Sequence, residues 1–412
     1  MLLGFAVFAA AFALTTSNPV HHLWAPYAAV SYAIGALAMV AHRVCPTLDP
    51  LARRQKLVIM LLVLGTTAIP LASQVMHGIA NPEIAVLRES ADRWLRTGTP
   101  FPAEAELLSR GRDVNAYNVY LPLLTVFGLP SALFGHSPIT DPRVYLTLVS
   151  YTIFLCLSRR ATWPVMLFLT SPWVALDLVC GATDIPVLGF ILLTLVLVGR
   201  GRFGWTGAAM GLAAGLKTLA WPALPITLLL AWAQGRWRGL AQSLAMAGAV
   251  LAVVLGLPVL ADPAAFVVNA IKLPLGLLPV KLTAQSPLPG YLLSQTGSLG
   301  NALALALLCG AALAIGGYAL RWPPRDAVTA ARVIAAGLLA LMLLAPATRF
   351  GYLVYPLGLL LLPVLTGAIA DPSPKAPYQW AQPSAAGERL PQPFRLVPRS
   401  KRKYRLVVPG ER

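Results

Sequence analysis

Four ionisable residues stand beside long apolar stretches: Glu83 in ANPEIAVLRESADRWLRTG, Asp184 in GATDIPVLGF, Lys217 in AAGLKTLAWPALP and Arg349 in LLAPATRFGYLVYP. An ionisable side chain at membrane depth is costly enough to mark a functional site by default. Two acids and two cations suit a substrate that carries both a phosphate and a hydroxyl. A carboxylate can remove the hydroxyl proton as general base. An ammonium neutralises a phosphate as a point charge, and a guanidinium binds it bidentately. Lys281 and Gln285, in LPVKLTAQSPLPGYL, extend the same polar set.

Each residue also has a structural reading. Glu83 falls in the first turn of a helix and complements its dipole by about 0.3 to 1 kcal/mol. Asp184 follows Gly181 and precedes Pro186, where a carboxylate caps backbone N–H groups. Lys217 lies near the end of its span, from which it can snorkel to the interface. Glu89, Asp92 and Asp113 compete with Glu83 for the base, but the first two stand among Arg88, Arg93 and Arg96 and read as surface ion pairs.

The elements that must position these groups follow from composition. The 412 residues are 57% hydrophobic and 11% charged, with mean hydropathy +0.70, outside the range of soluble domains. Apolar runs of roughly 20 residues recur to about Gly367, the length that crosses a bilayer. Backbone groups cannot stay unpaired in hydrocarbon, so the runs are helices. Continuous rather than alternating apolarity argues against a β-barrel. The fold class is therefore all-α, a polytopic transmembrane helix bundle of about 11 to 13 membrane helices with an extracytoplasmic interfacial-helix loop.

Basic residues fix the sides. His42 to Lys56, Arg159 and Arg160, GRGR (199–202), GRWRG (235–239) and RWPPR (321–325) are short basic connectors, placed on the cytoplasmic side by the positive-inside rule. That explains a net charge of +17 without a nucleic-acid partner. Spans near 2–17, 24–41, 56–76, 162–179, 184–199, 204–220, 222–234, 240–260, 298–320, 327–345 and 352–368 fit between them. Of the runs 119–135 and 142–157, parity permits one net crossing, so one is re-entrant or interfacial. The opening run, with no basic n-region, reads as a retained first helix.

This topology gives a membrane domain over 1–370, with extracytoplasmic loops at 77–117 and 263–297, and a disordered, basic cytoplasmic tail over 371–412. Glu83, Asp184, Lys217 and Arg349 all map to the non-cytoplasmic face. In the first loop Asn81 suits an N-cap and Pro82 the first helical position. Ile84, Leu87, Ala91, Trp94 and Leu95 form one apolar stripe, and Gly98 stops the helix, as expected for a helix on the membrane surface. Cys45, Cys156, Cys180 and Cys309 show neither a disulfide framework nor a metal spacing. Nucleotide fingerprints are absent from the sequence.

The stretches PEIAVLRESADRWLRTGTPF, YNVYLPLLTVFGLP, GATDIPVLGFILL, AAGLKTLAWPALP and ATRFGYLVYP give the chain a resemblance to the GT-C superfamily of integral-membrane glycosyltransferases, and within it to glycosyltransferase family 87. The resemblance runs from about Met76 to Pro356. It implies an inverting transfer on the outer face of the cell membrane, of mannose or another monosaccharide, from a polyprenyl-phosphate donor to a lipid or glycan acceptor of the cell envelope. The catalytic acid of such enzymes matches Glu83, where Asp is usual, and YNVYLP replaces their common YPP form. By position Lys217 and Arg349 face the donor phosphate, and Asp184 the sugar or acceptor. No cofactor is required, although Glu83 and Asp184 can converge on a divalent ion. The competing class is a transporter or lipid flippase that uses the same charges as a substrate path.

Overall fold

Asp184 and Gly199 mark the two ends of the helix around which the chain is built. In the computed structural model, which describes residues 1–44, 51–111, 113–158, 162–181, 183–280 and 284–367, this helix is buried along almost its whole length. A helix that is apolar all round has no solvent face to offer, so it goes to the middle. The others surround it as an all-α bundle, with no strand among the described residues beyond one bridge, Gln285 to Thr348.

The chain opens with α1 (Leu2–Thr15) and α2 (Pro19–Val44), and α3 (Leu51–Val63) runs through a wide π-turn into α4 (Ile69–Met76). These pack with α11 (Pro172–Cys180) around Trp24, Tyr32 and Leu62. The first loop carries α5 (Pro82–Thr97) and the one-turn α6 (Glu104–Ser109). α5 has Pro82 in its first turn and stops at Gly98, whose φ is +80°, as its sequence requires. Its stripe is only half free: Ile84, Leu87 and Ala91 are buried in the bundle, whereas Leu95 is exposed. The expected surface pairs also form with other partners, Arg93 with Glu106 and Arg110 with Glu89 from the rest of the same loop, and Arg88 with Asp141 at the start of the helix Pro142–Leu157.

The run 119–135 is the interrupted one of its pair. It forms α7 (Pro122–Thr125), a tight turn and α8 (Leu129–Phe134), whereas α9 (Pro142–Leu157) is continuous. α10 (Thr162–Leu169) and α11 are bent by 58° across Pro172. The central helix α12 (Asp184–Gly199) and α13 (Phe203–Leu216) form an antiparallel pair. α14 (Ala223–Ala261) is two helical segments that meet at Arg236, with φ 51°, so the separate spans read at 222–234 and 240–260 are joined through GRWRG rather than by a loop. Short α15 (Pro263–Phe266) and α16 (Pro289–Ser294) lie in the second loop, and α17 (Ser298–Arg321) and α18 (Ala327–Leu344) follow. The expected span 352–368 is broken into a turn, α19 (Val354–Leu360) and α20 (Leu362–Leu365).

Among the described residues five helices are long and apolar enough to cross a bilayer, or six with the bent pair counted as one span. The expected 11 to 13 spans are reached only with apolar helices of 10–17 residues, which are shorter than a bilayer crossing. Outer faces of α14 and α17 are apolar, with Val253, Leu257, Leu299 and Leu313 exposed, the surface a lipid-facing helix presents. The tail 371–412 lies outside the described residues.

Three of the basic connectors lie at one end of this bundle. Gln234 Nε2 donates to the Arg325 carbonyl at 3.3 Å, and the Phe203 ring lies against Gly235 and Gly239. α12 carries the chain from Asp184 to that end over 16 residues, about 24 Å at the helical rise. The polar cluster at Asp184 is therefore far from the basic turns.

The α13–α14 contact rests on small residues. Gly207, Gly211 and Gly215, four residues apart, share one face, and a Cβ on Gly207 would meet the Ser243 carbonyl at 2.2 Å. Backbone approach of this kind supplies dispersion contacts where lipid competes with any apolar surface. Gly207→Val is expected to lower stability by about 1 to 3 kcal/mol or more. Gly256→Ala, where a Cβ meets nothing within 4 Å, is the neutral control. Thermal unfolding of the detergent-solubilised variants checks both.

Candidate functional site

Residues distant in sequence are brought together at the end of the bundle opposite the basic turns. The anchor is Arg143, fully buried at the start of α9. Its guanidinium bonds to both oxygens of Asp141 at 2.9 Å, to the Ile79 carbonyl at 2.8 Å, to Gln74 Oε1 at 3.2 Å and to the Val179 carbonyl at 3.4 Å. One side chain thus ties the ends of α4 and α11 to the approach of α5. The Asn81 N–H donates to the Cys180 carbonyl, and Gly181, at φ +100°, lies where a Cβ would stand 2.5 Å from Ile84. Only glycine permits both that backbone and that contact. The first turn of α5 is thereby seated on the α11–α12 turn.

Burial pushes the Asp141 carboxyl up, but the Arg143 bonds and charge, with Arg88, more than offset it and hold it below the usual aspartate range. A depressed carboxylate stabilises the fold fully above the unfolded value of about 3.9, and this contribution is lost as pH falls through the lower folded value. Wild-type protein should therefore lose stability in that acid window, while Asp141→Asn, already less stable at neutral pH, should show a shallower acid loss. Unfolding midpoints measured from pH 6 downward test the difference.

Glu83, on the first turn of α5, accepts from Arg349 Nη1 at 2.5 Å. Asp184 Oδ1 accepts from Lys217 Nζ at 2.7 Å and from the Tyr355 hydroxyl at 2.7 Å. Capping is not its role: Thr183 occupies the N-cap position, and the Asp184 carboxylate is engaged across the bundle. Nor does Lys217 snorkel. It follows the last turn of α13, is only 9% exposed, and its ammonium lies 5.3 Å from the centre of the Tyr120 ring. Burial is compatible with these charges because each has an opposite charge within hydrogen-bond reach.

YNVYLP supplies more than Tyr120. The Asn118 side chain and N–H bond to Pro100, Tyr120 and Asn269, and Asn269 reaches Pro102, so the motif clamps the two loops together. Arg349 is set by a second clamp, in which Thr348 exchanges backbone bonds with Ala284 and Ser286. Gln285 lies in that clamp and is exposed. Lys281 lies outside the described residues. Asp113 accepts from the Asn115 N–H in the first loop.

A cavity of about 1310 Å³ joins these parts. Glu83, Asp177, Tyr120, Lys217, Arg349 and Tyr352 form its polar wall, and Phe5, Phe8 and Phe12 of α1, Leu305 and Leu308 of α17 and Leu341 of α18 form an apolar one. A smaller cavity of about 300 Å³, lined by Glu89, Arg110 and Asp113, adjoins it at Pro82 and Asn115. Asp177 is absent from the sequence expectation, although a carboxylate inside the apolar run SPWVALDLVC meets the same criterion as the others. No group of three or more His, Cys, Asp and Glu side chains is arranged to hold a metal among the described residues. Cys156, Cys180 and Cys309 are free thiols.

The chain has a partial likeness to two solved structures of ArnT from Cupriavidus metallidurans. The apo form is 19% identical, with 71% of this chain and 56% of that chain covered and a TM-score of 0.41. The form bound to undecaprenyl phosphate is 17% identical, with 75% and 61% covered and the same TM-score. The chain thus spans about 56 to 61% of the ArnT length. No curated protein is matched. Residues 118–346, a stretch that holds Asp177, Asp184 and Lys217 but stops short of Glu83 and Arg349, match glycosyltransferase family 87. Since that stretch is more than half of the 412 residues, this chain belongs to glycosyltransferase family 87.

Proposed function

We propose that the protein is a membrane glycosyltransferase that moves a monosaccharide, mannose in the first instance, from a polyprenyl-phosphate donor to a lipid or glycan acceptor of the cell envelope at the outer face of the cell membrane, with inversion. The observation that carries this reading is the two-sided cavity, in which paired charges meet an apolar wall built from α1, α17 and α18. A polyprenyl-phosphate sugar has the same division into a charged head and a long hydrocarbon chain. Family membership favours transfer over the transporter reading.

In the resting site each cation is held by an acid, Arg349 by Glu83 and Lys217 by Asp184. A donor phosphate competes for the half-exposed Arg349 guanidinium and releases the Glu83 carboxylate. Glu83 then takes the proton of an acceptor hydroxyl, and the acceptor oxygen attacks the anomeric carbon from the face opposite the phosphate. The bond from the anomeric carbon to the phosphate oxygen breaks, and its electron pair leaves with polyprenyl phosphate. Lys217 and Arg349 stabilise that charge, which grows only in the transition state.

Purified protein supplied with membrane lipids as acceptors and a panel of polyprenyl-phosphate sugars tests the reading. Glycosylated lipid should appear in step with free polyprenyl phosphate. Turnover of no donor with any acceptor would reject it.

A further inference from the structure

Asp177 has no part in the scheme above. It lies on α11 and lines the large cavity, and its Oδ2 is buried without a hydrogen-bond partner. Among the described residues it forms no ion pair, whereas Glu83 and Asp184 each have a cation. A buried carboxylate oxygen left unpaired costs stability, so its place in the cavity calls for a donor from outside the chain. Trp173 stands four residues earlier, on the same face of α11, and lines the same cavity. Its indole N–H is committed to the Gly351 carbonyl at 3.3 Å, which fixes the ring beside the Arg349–Tyr352 segment. A flat apolar ring one turn from an unpaired acceptor is complementary to a pyranose, which has a C–H face and a rim of hydroxyl donors.

Resting on the transfer reading above, we propose that Trp173 and Asp177 form the seat of the transferred sugar, with the pyranose face on the indole and one ring hydroxyl donating to Asp177 Oδ2. The seat selects the sugar. Trp173 and Asp177 line the same cavity as Glu83, Lys217 and Arg349, so a ring held there can present its anomeric carbon to the base while its phosphate reaches the cations. Selection follows from the unpaired oxygen: a donor that lacks the matching hydroxyl leaves Asp177 unsatisfied, and sites built around a hydroxyl reject such analogues strongly.

The test uses the full-length enzyme with polyprenyl-phosphate mannose and a set of donors, each lacking one ring hydroxyl. In the wild type one position of deoxygenation should lower kcat/KM by about 10²-fold. In Asp177→Ala the parent donor should fall by a similar factor, and the penalty for that deoxy donor should disappear. Trp173→Ala should raise KM for all donors and leave the penalty in place. Thermal unfolding of Asp177→Asn should match or exceed the wild type, because no internal bond to Oδ2 is lost; a marked drop would identify a structural role and overturn the proposal. Deoxy penalties unchanged in Asp177→Ala would also overturn it, as would equal loss of transfer from every donor in a folded variant, which would make Asp177 the base. A wild-type enzyme that turns over the parent donor separates these failures from failure of the transfer reading, which would remove both.

Discussion

Glu83→Gln is expected to lower kcat for sugar transfer by about 10² to 10⁴-fold, the usual contribution of a positioned general base. The amide keeps the size of the side chain and an oxygen that Arg349 can still use, so the fold should persist. It cannot accept the acceptor proton at neutral pH. In the wild type Glu83 and the donor phosphate compete for Arg349, bonded to Glu83 at 2.5 Å. Removing the carboxylate charge weakens that competition, so KM for the donor should stay level or fall while kcat collapses. This split distinguishes a base from a residue that only holds the loop, whose loss would raise KM. Rates from initial-velocity assays at several donor concentrations decide it. Full kcat in Glu83→Gln would move the base to another cavity acid or to Asp113.

The second large effect concerns the inner pair. Lys217→Met would leave Asp184 buried with the Tyr355 hydroxyl as its remaining partner. Breaking a buried pair from one side costs about 3 to 5 kcal/mol, because the surviving charge is uncompensated. The double variant Asp184→Asn with Lys217→Met removes both charges, and much of the lost stability should return. Transfer should not return with it, since the departing phosphate still lacks its ammonium. Unfolding of solubilised protein and transfer rate, measured on the wild type and both variants, separate the two roles. Recovery of transfer in the double variant would show that Lys217 matters only as the partner of Asp184.

Some of this site was legible before the structure. Glu83, Asp184, Lys217 and Arg349 stand out because charge beside apolar runs needs a reason, and all four reach the same end of the bundle. Of the two readings of Asp184, the cap did not survive, since the carboxylate turns to Lys217, 33 residues away. Asp177 escaped notice because it sits mid-helix, without the flanking Gly and Pro that draw attention to Asp184. Gln285, read from the sequence as part of the polar set, lies in the backbone clamp on Thr348 that precedes Arg349.

The sequence alone determined the all-α bundle, the first-loop helix between Pro82 and Gly98 and the set of candidate charges. These depend on local quantities: run length, the need to pair every backbone group in hydrocarbon, and residues suited to helix ends. Tertiary structure alone decided which acid meets which cation, with Glu83 and Arg349 266 residues apart, where the helices break, and that α1, α17 and α18 wall the cavity over Asp177. Such pairings depend on which helix faces touch. Spacing along the chain carries no information about that once the contacts lie many helices apart.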